Sequence, residues 1–140
     1  KLSEYWADGM RTLHGIHVHG FPNLFIVQAT QGGNLISNYP HNLTESGNTI
    51  GMMVKHALDN QSQEIEVSLD AENAWIELLK QAPPMMIGTT ECTPGYYNNE
   101  GKGWEQSLMG GGYPFGPVAY FKYLNEWRDS GEFKGLEFRS

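Results

Sequence analysis

The feature that most constrains this chain is a long stretch without formal charge. Residues 12 to 44 contain no Asp, Glu, Lys or Arg, although charged residues make up 18% of the whole sequence. The stretch is not a membrane span, because its longest aliphatic and aromatic run, Leu24–Val27, is far shorter than the ~20 residues that a span needs. We therefore expect backbone buried against something large and partly polar, such as a cofactor, with side-chain amides in place of charges.

Composition excludes several classes of function. The 140 residues fit one domain, and the net charge of −7 comes without a basic patch, so nucleic acid and anionic membranes are not expected partners. Cys92 is the only cysteine, which excludes an internal disulfide and a CxxC zinc site and fits a reducing, cytoplasmic location. The histidines at 14, 17 and 19 lack a carboxylate or Cys at ligand spacing, which favours structural roles over a metal site.

The first half of the chain predicts two strands, a loop and a helix. Period-two alternation over Ile16–His19 and the apolar run Asn23–Val27 are typical of short strands. A Gly-rich loop follows at Gln31–Asn34, and Ser37–Pro40 is a helix-start pattern. This helix is expected to end near Asn60, with an apolar face formed by Ile50, Met53, Val54, Ala57 and Leu58.

The second half predicts shorter elements separated by Gly-rich loops. Glu64–Ser68 alternates like a strand, and Asp70 is the expected cap of a second helix that ends by Pro83. Residues 85–116 are expected to be mostly loop, with one strand around Ser107–Met109, and Pro117 opens a third helix that stops at Gly131. The predicted apolar faces are Ala71, Ala74, Trp75, Leu78 and Leu79 in the second helix, and Phe121, Leu124 and Trp127 in the third.

Together these elements indicate an α/β chain whose sheet is incomplete. Two short strands are too few for a stable sheet, so we expect chain outside these residues to complete it. The strand, loop and helix from Phe25 to Leu58 have the geometry of an anion or cofactor cradle, because a helix N-terminus presents free N–H groups. The stretch lacks the GxGxxG and GxxxxGK[ST] fingerprints, so an ordinary strand–helix connection is the alternative. No GxSxG motif supports nucleophilic catalysis.

The most specific motif of the chain is HGFPNLF, at His19–Phe25. Trp6–Gly9 and Leu13–Ile16 precede it, and Cys92–Lys102 and the triplet Gly110–Gly112 follow it. This order resembles the C-terminal FAD-domain segment of class B flavin monooxygenases, above all the Baeyer–Villiger branch, whose patterns read W…GP.TYLGI…HGFPNLF and SW..G.N.PGK. The resemblance covers essentially the whole chain but only about the last quarter of such an enzyme. The two dinucleotide-binding glycine motifs and the FxGxxxHxxxWP fingerprint would lie upstream.

The resemblance implies a fold and a set of site residues. Residues 1–62 would form the C-terminal part of a Rossmann-like FAD-binding domain, and residues 63–140 a helical, loop-rich C-terminal region. The loop after the HGFPNLF strand contacts the flavin ring in the family, which implies cofactor-binding roles for Gln31, Gly33, Asn34, Ser37, Asn38 and Tyr39. Thr93, Tyr97 and Asn98 would lie on the substrate or NADP side, with Thr93 standing where the family has Trp. The family's catalytic Arg has no matching position here.

The resemblance also implies an activity. The chain would be a fragment of an FAD- and NADPH-dependent monooxygenase that inserts one oxygen atom from O2 into a small organic substrate, by Baeyer–Villiger oxidation of a ketone through a C4a-peroxyflavin. Its partner would be the missing N-terminal part of the same enzyme. N- or S-oxygenation is the alternative within the enzyme class. A non-catalytic truncated remnant or interaction module is the alternative outside it, because both nucleotide fingerprints are absent from this sequence.

Overall fold

The computed structural model describes residues 1–28, 31–33, 37–82, 93–95, 100 and 112–140. Within these ranges the two strands form one antiparallel sheet, in which Glu64 pairs with Arg139 and Val67 pairs with Leu136. The described residues therefore form a mixed helix and strand structure with a small two-stranded sheet. Its elements are α1 (Leu2–Tyr5), α2 (Tyr39–Asp59), β1 (Glu64–Val67), α3 (Leu69–Leu79), α4 (Pro117–Asp129) and β2 (Leu136–Arg139).

Helices α2 and α3 begin where short-range capping chemistry directs them. The Asn38 side chain accepts a hydrogen bond from the His41 N–H at 3.1 Å, which confirms the predicted start of α2. The prediction that Asp70 caps α3 was wrong, because the Ser68 hydroxyl accepts the Ala71 N–H at 3.2 Å. Asp70 lies in the first turn instead, where its negative charge still complements the helix dipole.

The predicted strands at Ile16–His19 and Asn23–Val27 are not strands. These segments touch through an isolated antiparallel bridge between His17 and Phe25 and a 2.8 Å bond from the Ile26 N–H to the Ile16 carbonyl. Gly20 (φ 79°) and Asn23 (φ 60°) have left-handed backbone, which interrupts the pleat and turns the chain away before a ladder can form. The predicted strand around Ser107–Met109 lies outside the described residues.

The core lies where α2, α3 and α4 meet the inner face of the sheet. It is built from Leu13, Met53, Ala57, Ile65, Val67, Trp75, Ile76, Leu79, Tyr120, Leu124, Trp127 and Phe133. Half of the eight predicted core positions of α3 and α4 belong to it. Ala71, Leu78 and Phe121 are partly buried against this core, and Ala74 is exposed. Aromatic and branched aliphatic side chains make up most of this core, as expected for a small sheet covered by helices.

The predicted apolar face of α2 was partly wrong. Val54 and Leu58 were expected to face the core, but they are 38% and 72% exposed. Helix α2 instead buries a partly polar face formed by Asn42, Ser46, Thr49, Met53 and Ala57. The cause is Arg128 on α4, whose guanidinium pairs with the Glu45 carboxylate at 2.7 Å and donates to the Thr49 hydroxyl at 3.3 Å. A buried guanidinium requires such partners, so α2 is rotated to supply them.

Candidate functional site

The loop that precedes α2 is fixed by Gln31, which is fully buried. Its side-chain oxygen accepts from the Thr12 hydroxyl at 2.5 Å, and its amide nitrogen donates to the Met10 carbonyl at 2.8 Å. Its backbone carbonyl accepts from the Trp75 indole N–H at 3.0 Å. The polar groups of the Gln31 side chain are thus used inside the protein, so they shape the loop and do not project from it.

The two glycines that follow Gln31 are required by close packing. A Cβ at Gly32 would lie 2.7 Å from the Tyr120 hydroxyl, and a Cβ at Gly33 would lie 2.7 Å from the Phe121 ring and closer still to the Asn42 side chain. Real Cβ atoms are not found at such distances. The glycines therefore let the loop backbone pass directly over α4, and the side facing α4 is filled by protein.

The start of α2 is the part of the predicted site that faces outward. The Ser37 hydroxyl donates to the Gly33 carbonyl at 2.9 Å, and the Asn38 side chain caps the helix. Pro40 has no N–H, and the His41 N–H already donates to the Asn38 side chain. Tyr39 is therefore the residue of the first turn whose N–H can be donated outward. The Tyr39 side chain is 46% exposed. This end of the helix therefore presents the Tyr39 N–H and the Tyr39 ring, and its first turn contains no acidic residue.

Comparisons with known proteins identify the family of the chain. No protein-family model matches it. An FAD-binding monooxygenase, hmp7, of Hypomyces subiculosus is 37% identical over 97% of the chain, and pentalenolactone D synthase of Streptomyces exfoliatus is 39% identical over 99%. A Baeyer–Villiger monooxygenase of Streptomyces coelicolor is 37% identical over 92%. The chain belongs to the Baeyer–Villiger monooxygenase family. It spans about a quarter of the length of these relatives, with values of 23%, 24% and 21%.

Solved structures agree with this assignment. A polycyclic ketone monooxygenase of the fungus Thermothelomyces thermophila is 29% identical, with a TM-score of 0.70 over 94% of the chain and 21% of its own. An oxidized steroid monooxygenase bound to NADP has a TM-score of 0.74 over 99% of the chain and 24% of its own, at 19% identity, and supports the fold alone. The described residues thus adopt the arrangement found in part of such enzymes.

In this Baeyer–Villiger segment the HGFPNLF motif is held by two buried carboxylates. Glu72 accepts from the His19 N–H at 3.0 Å and lies 3.4 Å from the Arg11 guanidinium, while Glu66 accepts from the Gly20 N–H at 2.8 Å. Asn23 then pairs with β1 through its side chain and its N–H, which bond Ile65 in both directions at 2.9 and 3.0 Å. These hydrogen bonds attach the motif to β1 and α3 and so fix the position of the chain before the Gln31 loop.

The clustered histidines take structural positions. His14 and His17 are fully buried, and the rings of Trp75 and Trp127 meet His14 edge-on at 4.8 Å. Burial lowers the pKa of His17 to about 3 and lowers the pKa of His14 well below its ordinary value, with His17 acting in the same direction. His19 instead contacts the Val67 carbonyl at 2.8 Å through Nδ1. In the ranges that the structure describes, no group of three or more His, Cys, Asp and Glu residues is arranged to hold a metal ion.

The remaining predicted site residues lie on a short described stretch or outside the described residues. Thr93 is exposed on a short described stretch. Asn34, Tyr97 and Asn98, together with Cys92, lie outside the described residues. Sequence reasoning missed Thr12 and Trp75, whose side chains fix Gln31; the one signal that could have pointed to Thr12 is its place at the start of the uncharged stretch. Among the described helices none is long and apolar enough to cross a bilayer.

Proposed function

We propose that this segment belongs to an FAD- and NADPH-dependent Baeyer–Villiger monooxygenase that oxidises a small organic ketone with O2. One relative is named for FAD binding, and one structural neighbour was solved with NADP bound. These names support both cofactors for the whole protein, of which this chain is about a quarter. The same proposal takes residues 1–62 as the C-terminal part of a Rossmann-like FAD domain and residues 63–140 as a helical, loop-rich C-terminal region, with Thr93, Tyr97 and Asn98 toward the substrate or NADP.

The observation that carries the proposal is the outward-facing start of α2, which we place at the pyrimidine edge of a flavin. That edge gains negative charge on reduction, and a helix N-terminus carries about half a positive charge. The first turn of α2 contains no acidic residue, so nothing in it opposes such a charge. The first carboxylate beyond the uncharged stretch, Glu45, is paired with Arg128 at 2.7 Å, and its charge is compensated.

The residues of this chain would bind and orient the cofactor. FAD supplies the redox and oxygen chemistry when it is bound. Tyr39 would offer its backbone N–H and the face of its ring, and Asn38 would keep the helix end from fraying. Gln31, Gly33 and Ser37 would act through the shape of the loop, because the contacts described for them are inside the protein. Asn34 completes the proposed cofactor-binding set.

A charge placed in the first turn of α2 tests this arrangement. His41→Glu in the full-length protein adds a negative charge at an exposed position of that turn, which on structural grounds favours the helix by a few tenths of a kcal/mol. If the turn faces the flavin, the same charge lowers the reduction potential of bound FAD and slows its reduction by NADPH. His41→Gln controls for loss of the imidazole, and Asn48→Glu adds the same charge at an exposed position two turns further along. Equal flavin potentials in all three variants would exclude the proposed placement.

A further inference from the structure

We infer that Thr12 and Trp75 are positioning residues that hold the Gly32–Gly33 turn through Gln31. The inference rests on the proposed function, in which this turn leads to the flavin-facing start of α2. Neither side chain belongs to the proposed cofactor-binding set. Both reach Gln31 from other parts of the chain, Thr12 from the N-terminal segment and Trp75 from α3.

Hydrogen bonds hold both the side chain and the backbone of Gln31. The Thr12 hydroxyl, at 2.5 Å, and the Met10 carbonyl, at 2.8 Å, fix its side-chain amide, and the Trp75 indole, at 3.0 Å, fixes its backbone carbonyl. The same Thr12 oxygen accepts the Gly15 N–H at 3.1 Å, so the hydroxyl is itself oriented. Side chain and backbone are therefore held independently, in a place from which solvent is excluded.

The backbone conformation of Gln31 explains why both sets of hydrogen bonds are needed. Its φ of 58° lies in the left-handed region, which residues with a Cβ adopt only where their surroundings enforce it. Without the Trp75 bond to the carbonyl, the peptide that joins Gln31 to Gly32 could rotate toward an ordinary conformation. We therefore expect that loss of the Thr12 bond or of the Trp75 bond changes the path of the loop as well as the stability of the core.

A change at Gln31 has a direct route to the start of α2. The Gly32 carbonyl accepts the Tyr113 N–H at 3.0 Å, and the Gly33 carbonyl accepts the Ser37 hydroxyl at 2.9 Å. Ser37 directly precedes the Asn38 cap. Because packing against α4 leaves the two glycines no free space on that side, a displaced loop moves outward, toward the proposed flavin.

Trp127 provides a matched control. Its indole N–H donates to the Lys134 carbonyl at 3.0 Å, the same bond at the same length as that of Trp75 to Gln31. Both indoles lie 4.8 Å from the His14 ring, and both are buried. Trp127→Phe thus removes an equivalent hydrogen bond and a similar volume from the same core without touching the loop.

The experiment compares four variants of the full-length protein loaded with FAD: Trp75→Phe, Trp127→Phe, Thr12→Val and Thr12→Ser. For each, we would measure the thermal midpoint of the apoprotein, the visible spectrum of bound flavin, and the fraction of NADPH consumption that ends as H2O2. We expect both Phe variants to lower the thermal midpoint. Only Trp75→Phe and Thr12→Val should raise the H2O2 fraction severalfold and shift the flavin absorption band, and Thr12→Ser, which keeps the hydroxyl, should restore the wild-type values.

Two outcomes separate this inference from the function on which it rests. If Trp75→Phe and Thr12→Val leave the flavin spectrum and the H2O2 fraction at wild-type values while His41→Glu lowers the flavin potential, the positioning inference is wrong and the site stands. If His41→Glu leaves the potential unchanged, the placement of the site itself is wrong. Should Trp75→Phe fail to accumulate as folded protein, the Thr12→Val and Thr12→Ser pair decides by the same measurements.

Discussion

Lowering the pH from 7 to 5 should open the region around His14 and His17 more readily than the rest of the protein. Both imidazoles are fully buried, and each has a ring nitrogen without a hydrogen-bond partner among the described residues, Nδ1 in His14 and Nε2 in His17. Burial lowers the pKa of His17 to about 3, and it lowers the pKa of His14 in the same direction. Between pH 7 and 5 both rings therefore stay neutral while they are buried.

The sign and size of the effect follow from proton linkage. An unfolded histidine has a pKa of about 6.5, so below that pH the open form binds a proton that the closed form excludes. The stabilisation is complete above pH 6.5 and falls by about 1.4 kcal/mol per pH unit for each histidine, until the pKa of the folded form is reached. For His17 the loss at pH 5, relative to a pH well above 6.5, is about 2 kcal/mol, or roughly 30-fold in the opening equilibrium. His14 adds a loss of the same sign.

Hydrogen exchange measured by mass spectrometry on the full-length protein tests this locally. After correction for the intrinsic pH dependence of exchange, protection of the backbone near residues 13–17 should fall at least ~30-fold between pH 7 and 5. His17→Gln keeps a similar volume without a titrating ring and should reduce the fall. His41→Gln, at an exposed histidine, should leave it unchanged. Equal pH responses in the wild type and His17→Gln would refute the argument from burial.

Four further substitutions should have graded effects on stability, measured by denaturant unfolding. Gly33→Ala should lower the denaturant midpoint, because its Cβ would lie 2.7 Å from a ring atom of Phe121 on α4. Gly47→Ala, in open space on α2, should leave the free energy of unfolding unchanged or raise it by about 0.5–1 kcal/mol. If Gly47→Ala destabilised the protein more than Gly33→Ala, the packing argument would be contradicted. Ser68→Ala should cost about 1 kcal/mol through loss of the α3 cap, and no change would mean that the cap contributes nothing. Glu72→Gln should cost about 2 kcal/mol, because the buried carboxylate loses its charge beside Arg11, and a neutral result would rule that pair out as a stabilising contact.

The parts of the fold that sequence predicted are those determined by adjacent residues. The start of α2 depends on Asn38 and Pro40, within one turn of each other, and β1 shows its alternation within four residues. The outward face of α2 could not be predicted in this way. Its rotation depends on Arg128, which is 83 positions from Glu45 in the sequence, and periodicity alone assigned Val54 and Leu58 to the core. Strand β2 was missed for the same reason, because its four residues form a strand only through their pairing with β1.

The candidate site likewise contains residues that the linear sequence could indicate and residues that only tertiary contacts bring to it. The resemblance pointed to the segment from Gln31 to Tyr39, because a family motif directly precedes it in the chain. It could not point to Thr12 or Trp75, which lie 19 and 44 positions from Gln31 and contribute only through hydrogen bonds formed in the folded chain. Residues that surround a loop are determined by tertiary structure, and a linear motif carries no record of them.

The pairing of β1 with β2 also sets a timetable for biosynthesis. Val67 is synthesised sixty-nine residues before its partner Leu136. At ~5–20 residues per second that interval lasts roughly 3–14 s, during which β1 is a lone strand with an unpaired edge. The nascent chain must therefore be kept from pairing with other chains until Leu136–Arg139 emerge. A product that ends between Val67 and Leu136 lacks the second strand of the sheet that the described residues form.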